Sequence, residues 1–439
     1  MAIHIDHIFR IPTNKIDRLF LVSKPDVAKW MTISVRDIAL WIYYFGILCA
    51  FFISLTPWPL WKLYPYVGIV AFLPILCAYM MSRTLSSPIF TRKDFALPFV
   101  ACTICVLSMA LLGRKNIFGI IGDIFMLPVF LSLFTLNKED LVRLGDMLSK
   151  VMGVLLLLSM LAYFFYILGF SLPHFHIAFP YGDYTYENYF FFLIDDRSAG
   201  IDIPRFHSIF LEPSHMSMAC VALLLTQIGR WKKWYNFSIL VAIVISFSLA
   251  GYIFLVVLYF ASSWLRGKSI VKKVVLFASG LALIVILSLL YNGGDNMVNQ
   301  LILQRLEVNE DGKLAGDNRV TGMFDSVYKE FSHSEKLLYG EGGIKMAKYA
   351  DGGNAGYKVF LYTYGLISLF FIIMFFFAIC CTSSLMRQKI TMLIVSFISF
   401  IPHGYPLIFY FFIPLYILLF TDFRHNQEGS LQELKENIG

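Results

Sequence analysis

Long apolar runs recur along the whole chain, and they decide what it can fold into. A stretch of about 18 or more predominantly apolar residues reads as a membrane span, and here such stretches follow one another with short polar breaks. With 58% hydrophobic and only 15% charged residues over 439 positions, the composition excludes a soluble globular domain. The expected fold is an all-α polytopic membrane protein. Spans are predicted at 37–57, 63–81, 95–112, 118–136, 150–171, 206–229, 272–291 and 355–381. The stretches 234–265 and 389–420 are too long for one crossing and too short for two, which need roughly 40 residues.

Charge orients these segments. Lys and Arg cluster before Trp41 (Arg10 to Arg36), at Arg83, Arg92 and Lys93, at Lys138, Arg143 and Lys150, at Arg230, Lys232 and Lys233, and at Arg266, Lys268, Lys272 and Lys273. The positive-inside rule makes these ends cytoplasmic; Arg114 and Lys115 point the other way. Stretches 234–265 and 389–420 are basic at both ends, so each is expected to leave and re-enter the cytoplasmic side as a short-armed hairpin. Their tips carry helix-weakening residues, Ser246-Phe-Ser248-Leu-Ala-Gly251 and Pro402-His403-Gly404. Short interrupted segments of this kind point to a site at membrane depth; two tight pairs of short helices is the plainer alternative. Counting each hairpin as two helices gives about 12 membrane helices with both termini inside.

The resulting organisation is a cytoplasmic basic tail over 1–36, a five-helix membrane region over 37–171 and a first outer loop over 172–205. Central helices with the first hairpin follow over 206–291, then a large outer loop over 292–354. C-terminal helices with the second hairpin occupy 355–420, and a cytoplasmic tail 421–439. No cleavable signal peptide is read at the N-terminus, and the tail suits an interfacial amphipathic helix. The seven cysteines lie in or at the ends of apolar runs, so no disulfide framework is indicated. Cys102 and Cys105 have CxxC spacing without a second pair, and read as packing.

One stretch breaks the apolar pattern. "RFHSIFLEPSHMS", Arg205 to Ser217, puts an arginine, two histidines and a Glu-Pro pair at the start of a predicted span. A charge at a helix centre costs about 2.5–3.5 kcal/mol on insertion scales, so Glu212 needs a polar surrounding. Helical spacing would put Arg205, Ser208, Glu212 and His215 on one stripe. Pro213 interferes with that, because it removes a donor and biases Glu212 away from helical torsions. The helix therefore either kinks at Glu212 or starts there with Pro213 in its first turn. An Arg205–Glu212 pair that merely braces the kink is the structural alternative to a functional site.

"RFHSIFLEPSHMSMACVALLL" resembles the Arg-plus-Glu-Pro-Ser element of bacterial O-antigen and capsular polysaccharide polymerases, the Wzy-type membrane glycosyltransferases. "DNRVTGMFDSVYKEFSHSEKLLYGEGG" is similar to a stretch those polymerases share with O-antigen ligases, in which an arginine opens a helix that ends in a glycine-rich turn. Here these are Arg319 and Leu338 to Gly342. "GNAGYKVFLYTYGLISLFFIIMFF" resembles the helix that follows. The likeness covers about 205–265 and 300–420; the first five spans show only hydropathy. Ligases carry a His-Asn pair before that helix, where this chain has Gly353-Asn354, which favours polymerase over ligase. Arg305 to Gly316 fits a weaker Arg–Gly spacing found in some polymerase outer loops.

The resemblance implies a GT-C-like membrane fold in the cytoplasmic (inner) membrane. It implies a polyprenyl-pyrophosphate-linked oligosaccharide as substrate, membrane lipid around it, and chain-length regulator and flippase proteins as partners. The product class would be O-antigen, capsule or exopolysaccharide. The leaving pyrophosphate calls for arginine forks, for which Arg205, Arg305 and Arg319 qualify, with His207, Asn354 and His403 as further substrate contacts. Glu212 and His215 are the candidates for taking the acceptor hydroxyl's proton, with His207 and His403 as alternatives. Asp123 is a second carboxylate inside a span and is suited to holding an arginine. With no DxD motif and no cluster at ligand spacing, a metal-independent enzyme without cofactor is expected. The aromatic first outer loop suits sugar stacking or an interfacial belt, and the sparse outer cations argue against nucleic acid. A lipid-linked oligosaccharide flippase is the transporter alternative; it would show an internal repeat and mid-span cations, neither of which is evident.

Overall fold

The computed structural model describes residues 34–82, 85, 92–114, 117–181, 184–196, 203–291, 296, 299, 304, 307, 321–349, 356–382, 385–404, 410–421 and 423. The protein is mostly helical, and five of its helical segments are long and apolar enough to cross a membrane: Val35–Ser54, Trp58–Met81, Lys138–Ile167, Val271–Leu290 and Tyr357–Cys380. The first is α1 (Val35–Ser54), started by a capping box in which Ser34 and Asp37 satisfy each other's backbone amides at 3.1 and 3.2 Å. A 3-10 segment (Trp58–Tyr66) leads into α2 (Val67–Met81), followed by α3 (Arg92–Leu112) and α4 (Ile117–Leu133). Next comes α5 (Lys138–Ile167), which begins well before the predicted 150. Asn137 caps it by accepting from the Asp140 amide at 2.8 Å, and its charged first turns are invisible to a hydropathy reading.

The segment predicted as the first outer loop corrects the all-α expectation. It folds into an antiparallel sheet of β1 (Phe175–Ala178), β2 (Thr185–Asn188) and β3 (Leu193–Asp195) in that order, with Phe175 opposite Asn188 and Tyr186 opposite Asp195. Tyr186, Phe179 and Leu193 bury against Trp61 and Leu211. Part of the loop's aromatic content is thus a small core; Tyr181, Phe190 and Phe191 stay exposed.

The centre of the molecule is α6 (Pro213–Thr226), apolar on every side and buried from Met216 to Thr226, as a helix without a polar face must be. It packs against α5, α7 (Trp234–Ile245), α8 (Leu249–Trp264) and α14 (Ile413–Leu418). The stretch 234–265 forms two short helices, α7 and α8, with 12 and 16 residues, broken at Ser246–Ser248 where Phe247 takes a positive φ of 46°. At 1.5 Å per residue the arms measure roughly 18 and 24 Å. The second hairpin is lopsided. Its outgoing arm is α13 (Met386–His403), which stops at His403 with Gly404 in the left-handed conformation. On the return side the described residues are a 3-10 turn (Tyr410–Phe412) and α14. Between the hairpins run α9 (Val271–Leu290), α10 (Gly322–Ser332), α11 (Gly343–Met346) and α12 (Tyr357–Cys380).

Charge gathers the helix ends. Arg36 meets Asp140 at 2.6 Å, and Asp146 collects Lys150, Lys233 and Arg230 at 3.0, 3.1 and 3.7 Å. These side chains come from three of the charged regions predicted to be cytoplasmic. Elsewhere, α12 kinks at Gly365 (φ 72°, ψ 179°), and the turn at Leu338–Gly342 docks backbone to backbone on the kink.

Candidate functional site

The site is built around the start of α6. Glu212 is its N-cap residue in an extended conformation (φ −139°, ψ 143°) and Pro213 fills the first helical position. Of the two arrangements open to the sequence, the helix starts here; it does not kink. The predicted span 206–229 is therefore corrected to Pro213–Thr226, and Arg205, Ser208 and Glu212 do not form a helical stripe. Residues 203–212 instead run as a non-helical strap that leads into α6.

The strap is pinned from several sides. Tyr163 of α5 donates to the Pro204 carbonyl, and the Ser159 and Ser208 hydroxyls meet at 2.6 Å. The Leu193 amide donates to the Ser208 carbonyl at 2.9 Å and the Trp58 amide to that of Ile209 at 2.9 Å. Tyr186 donates to the Leu211 carbonyl at 2.8 Å. Ser208 pays for this path with a positive φ of 55°. Arg205 is half-buried on the strap, close enough to His207 and to Tyr252 of α8 for its charge to act on both. His207 is only 2% exposed and its Nδ1 donates to the Phe210 carbonyl at 2.5 Å. Burial drives its pKa down to about 4, so its imidazole is neutral at physiological pH and serves as an internal brace of the strap.

Three side chains meet just below. His215 Nε2 lies 3.7 Å from Glu212 Oε2, one helical turn along. The His403 ring, at the end of α13, packs edge-on against His215 with ring centroids 5.2 Å apart. Each of the three offers a ligand atom, and all these atoms lie within 4.8 Å of one another. Supporting groups hold them. Ser214 Oγ donates to Glu212 Oε2 at 3.1 Å, and Phe411 stacks on His215 at 6.4 Å. A Cβ at Gly404 would collide with the Gly356 carbonyl, so only glycine lets α13 end there and present His403. The other tip arrives one turn down α6: Ser217 Oγ donates to the Pro213 carbonyl at 2.7 Å and lies 3.1 Å from Ser246 Oγ. Gly251 packs so close to Ser217 that an added Cβ would sit 2.8 Å from its Oγ.

Of the residues expected from sequence, Glu212, His215 and His403 come together, Arg205 and His207 ride on the adjoining strap, and Asp123 is buried in α4 near Tyr410. Arg305, Arg319 and Asn354 lie outside the described residues. The expectation that no cluster has ligand spacing is corrected. Glu212-Pro-Ser-His215 is itself an i, i+3 ligand pair, and the third member is supplied from a distant helix. Ser214 and Ser217 were not singled out as supporting groups, whereas Ser246 belongs to the tip that the sequence points to. Cys102 and Cys105 are buried in the core, in keeping with a packing role. No family model, curated protein or solved structure matches the chain.

Proposed function

We propose that this chain is a membrane glycosyltransferase of the Wzy polymerase type. It would join polyprenyl-pyrophosphate-linked oligosaccharide units at the outer face of the cytoplasmic membrane. Support comes from the sequence resemblance and from one observation above all: Glu212, His215 and His403, drawn from α6 and α13, meet beside the strap that carries Arg205. In this reading the five long apolar helices and the shorter ones make up about 12 crossings in a GT-C-like arrangement. The grouping of Arg36, Lys150, Arg230 and Lys233 around Asp140 and Asp146 supports an inside location for those ends.

The chemistry has two demands. An acceptor hydroxyl must lose its proton as its oxygen bonds to the anomeric carbon, and the bond from that carbon to the pyrophosphate oxygen must break. The leaving polyprenyl pyrophosphate takes the electron pair. Charge develops on the leaving group, where preorganised cations act most strongly; Arg205 would meet it, with Arg305 and Arg319 from the second outer loop. The Glu212–His215–His403 cluster would activate the hydroxyl. In a strain lacking its own polymerase, wild-type protein should restore a ladder of chain lengths, and Arg205→Ala should leave single repeats at normal protein level. Arg205→Lys should recover only part of the ladder, because an ammonium cannot fork two phosphate oxygens. A wild-type ladder from Arg205→Ala removes the assignment. In a strain that lacks its own ligase, restoration of attached repeats by the wild-type protein would favour a ligase.

A further inference from the structure

A carboxylate and two imidazoles within one turn of space are more than a proton relay requires. We propose that Glu212, His215 and His403 together bind one divalent transition-metal ion of the zinc class.

The donor set fits such an ion. Imidazole nitrogen and carboxylate oxygen are its ordinary ligands, at about 2.0–2.2 Å, and two histidines with one glutamate are a known catalytic set that leaves a fourth position open. Donor atoms about 2.1 Å from a tetrahedral ion stand roughly 3.4 Å apart. Glu212 Oε2 and His215 Nε2 are 3.7 Å apart, and the whole set falls within 4.8 Å. Small side-chain rotations would close it around an ion.

The surroundings hold the donors in place. Glu212 and His215 ride on the first turn of a buried helix, fixed by Pro213. Ser214 binds the same carboxylate oxygen that faces His215, as outer partners of metal-bound carboxylates do. His215 is clamped between Phe411 and the His403 ring. His403 is 6% exposed, at the end of a helix whose stop is locked by the contact of Gly404 with Gly356. Glu212 keeps 30% of its side chain exposed, which leaves a way in for an ion and for a further ligand.

An ion here would meet both demands of the proposed reaction, and this part of the inference rests on that reading. A bound hydroxyl loses its proton more readily, and a bound phosphate oxygen has its charge offset. The ion's binding itself does not depend on what reaction is catalysed.

The test uses full-length protein purified in detergent without a histidine tag, stripped with EDTA and then titrated with Zn2+ or Co2+. One equivalent should bind by elemental analysis, and Co2+ should give the visible absorption of a low-symmetry site. Glu212→Gln, which preserves shape, and His403→Gln should each abolish stoichiometric binding while the protein elutes as wild type on size exclusion. Ser214→Ala should weaken binding about 10- to 100-fold. A wild type that retains no stoichiometric ion, or a Glu212→Gln protein that binds as wild type does, overturns the site. The two proposals fail separately. Polymer made by ion-free enzyme removes the ion's part in the reaction and keeps the polymerase; a tightly held ion without polymer keeps the site and removes the polymerase.

Discussion

Replacing Gly365 by alanine should detach the turn at Leu338–Gly342 from α12 while leaving the helical bundle intact. Gly365 has φ 72° and ψ 179°, a region occupied almost only by glycine, and holding another residue there costs about 1–3 kcal/mol. A Cβ at this position would collide with the Leu338 carbonyl and sit 2.6 Å from the Gly340 nitrogen. Three bonds cross this contact: Glu341 N to the Tyr362 carbonyl at 2.7 Å, Gly342 N to that of Thr363 at 3.2 Å, and Ile367 N to that of Leu338 at 2.9 Å. At about 0.5–1.5 kcal/mol each, the bonds favour docking in both proteins, so the substitution weakens docking by the added strain of about 1–3 kcal/mol. The bundle does not depend on these bonds, so the cost is avoided by undocking the turn. With about 1.4 kcal/mol per factor of ten, amide exchange at Glu341, Gly342 and Ile367 should quicken by about 5- to 100-fold. Hydrogen exchange read by mass spectrometry over 335–370 measures it. Gly280→Ala in α9, where an added Cβ meets nothing within 4 Å, is the control. Unchanged protection at the three amides in Gly365→Ala would show that the loop is not held by this contact.

Ser217 and Ser246, whose hydroxyls lie 3.1 Å apart, should form a disulfide under mild oxidation when both are changed to cysteine; absence of the cross-link by mass spectrometry would displace the hairpin tip from α6. Buried His207 titrates near pH 4 when folded against about 6.5 when exposed. The folded state therefore favours the neutral ring, and its contribution is complete above pH 6.5. It is lost as pH falls towards 4, by at most about 1.4 kcal/mol per unit. Thermal unfolding in detergent should show this slope, and His207→Asn, which keeps a donor in place of Nδ1, should reduce it; an identical slope in both proteins would show that His207 is not the group titrating.

Much of the helical layout was legible because burial and membrane insertion ask the same thing of a sequence. The break at Ser246–Ser248, the stop at His403-Gly404 and the start at Pro213 could all be read from residues that weaken helices. The length of α5 was under-read because its first turns carry Glu139 and Asp140, although Asn137 with Asp140 three residues on is a capping signal. The sheet was missed for a different reason. Its strands have three or four residues, too short to show alternation, and they are held by Trp61 and Leu211 from elsewhere in the chain. Nothing local pairs His403 with His215. That contact depends on where packing on α8, α12 and α14 places the end of α13, and the sequence carries it only as two histidines beside two helix breaks.

The cluster owes its availability to how those breaks are satisfied. Interrupting a helix among apolar neighbours leaves amides and carbonyls that need partners. Serine hydroxyls meet much of that need here. Ser248 Oγ accepts from the Gly251 amide at 3.2 Å, and Ser246 Oγ from the Ser248 amide at 3.3 Å. Ser217 Oγ binds the Pro213 carbonyl. At the start of α6 the usual arrangement would have the N-cap side chain accept from the first turn. Glu212 makes no such bond, and Pro213 has removed the first of the amides that would ask for one. A carboxylate at the cap but not used as the cap is left to face His215 and, across α6, His403. The proline and serines of "EPSHMS" thus do the structural work of the helix start, which leaves the side chains of Glu212 and His215 available to the proposed chemistry.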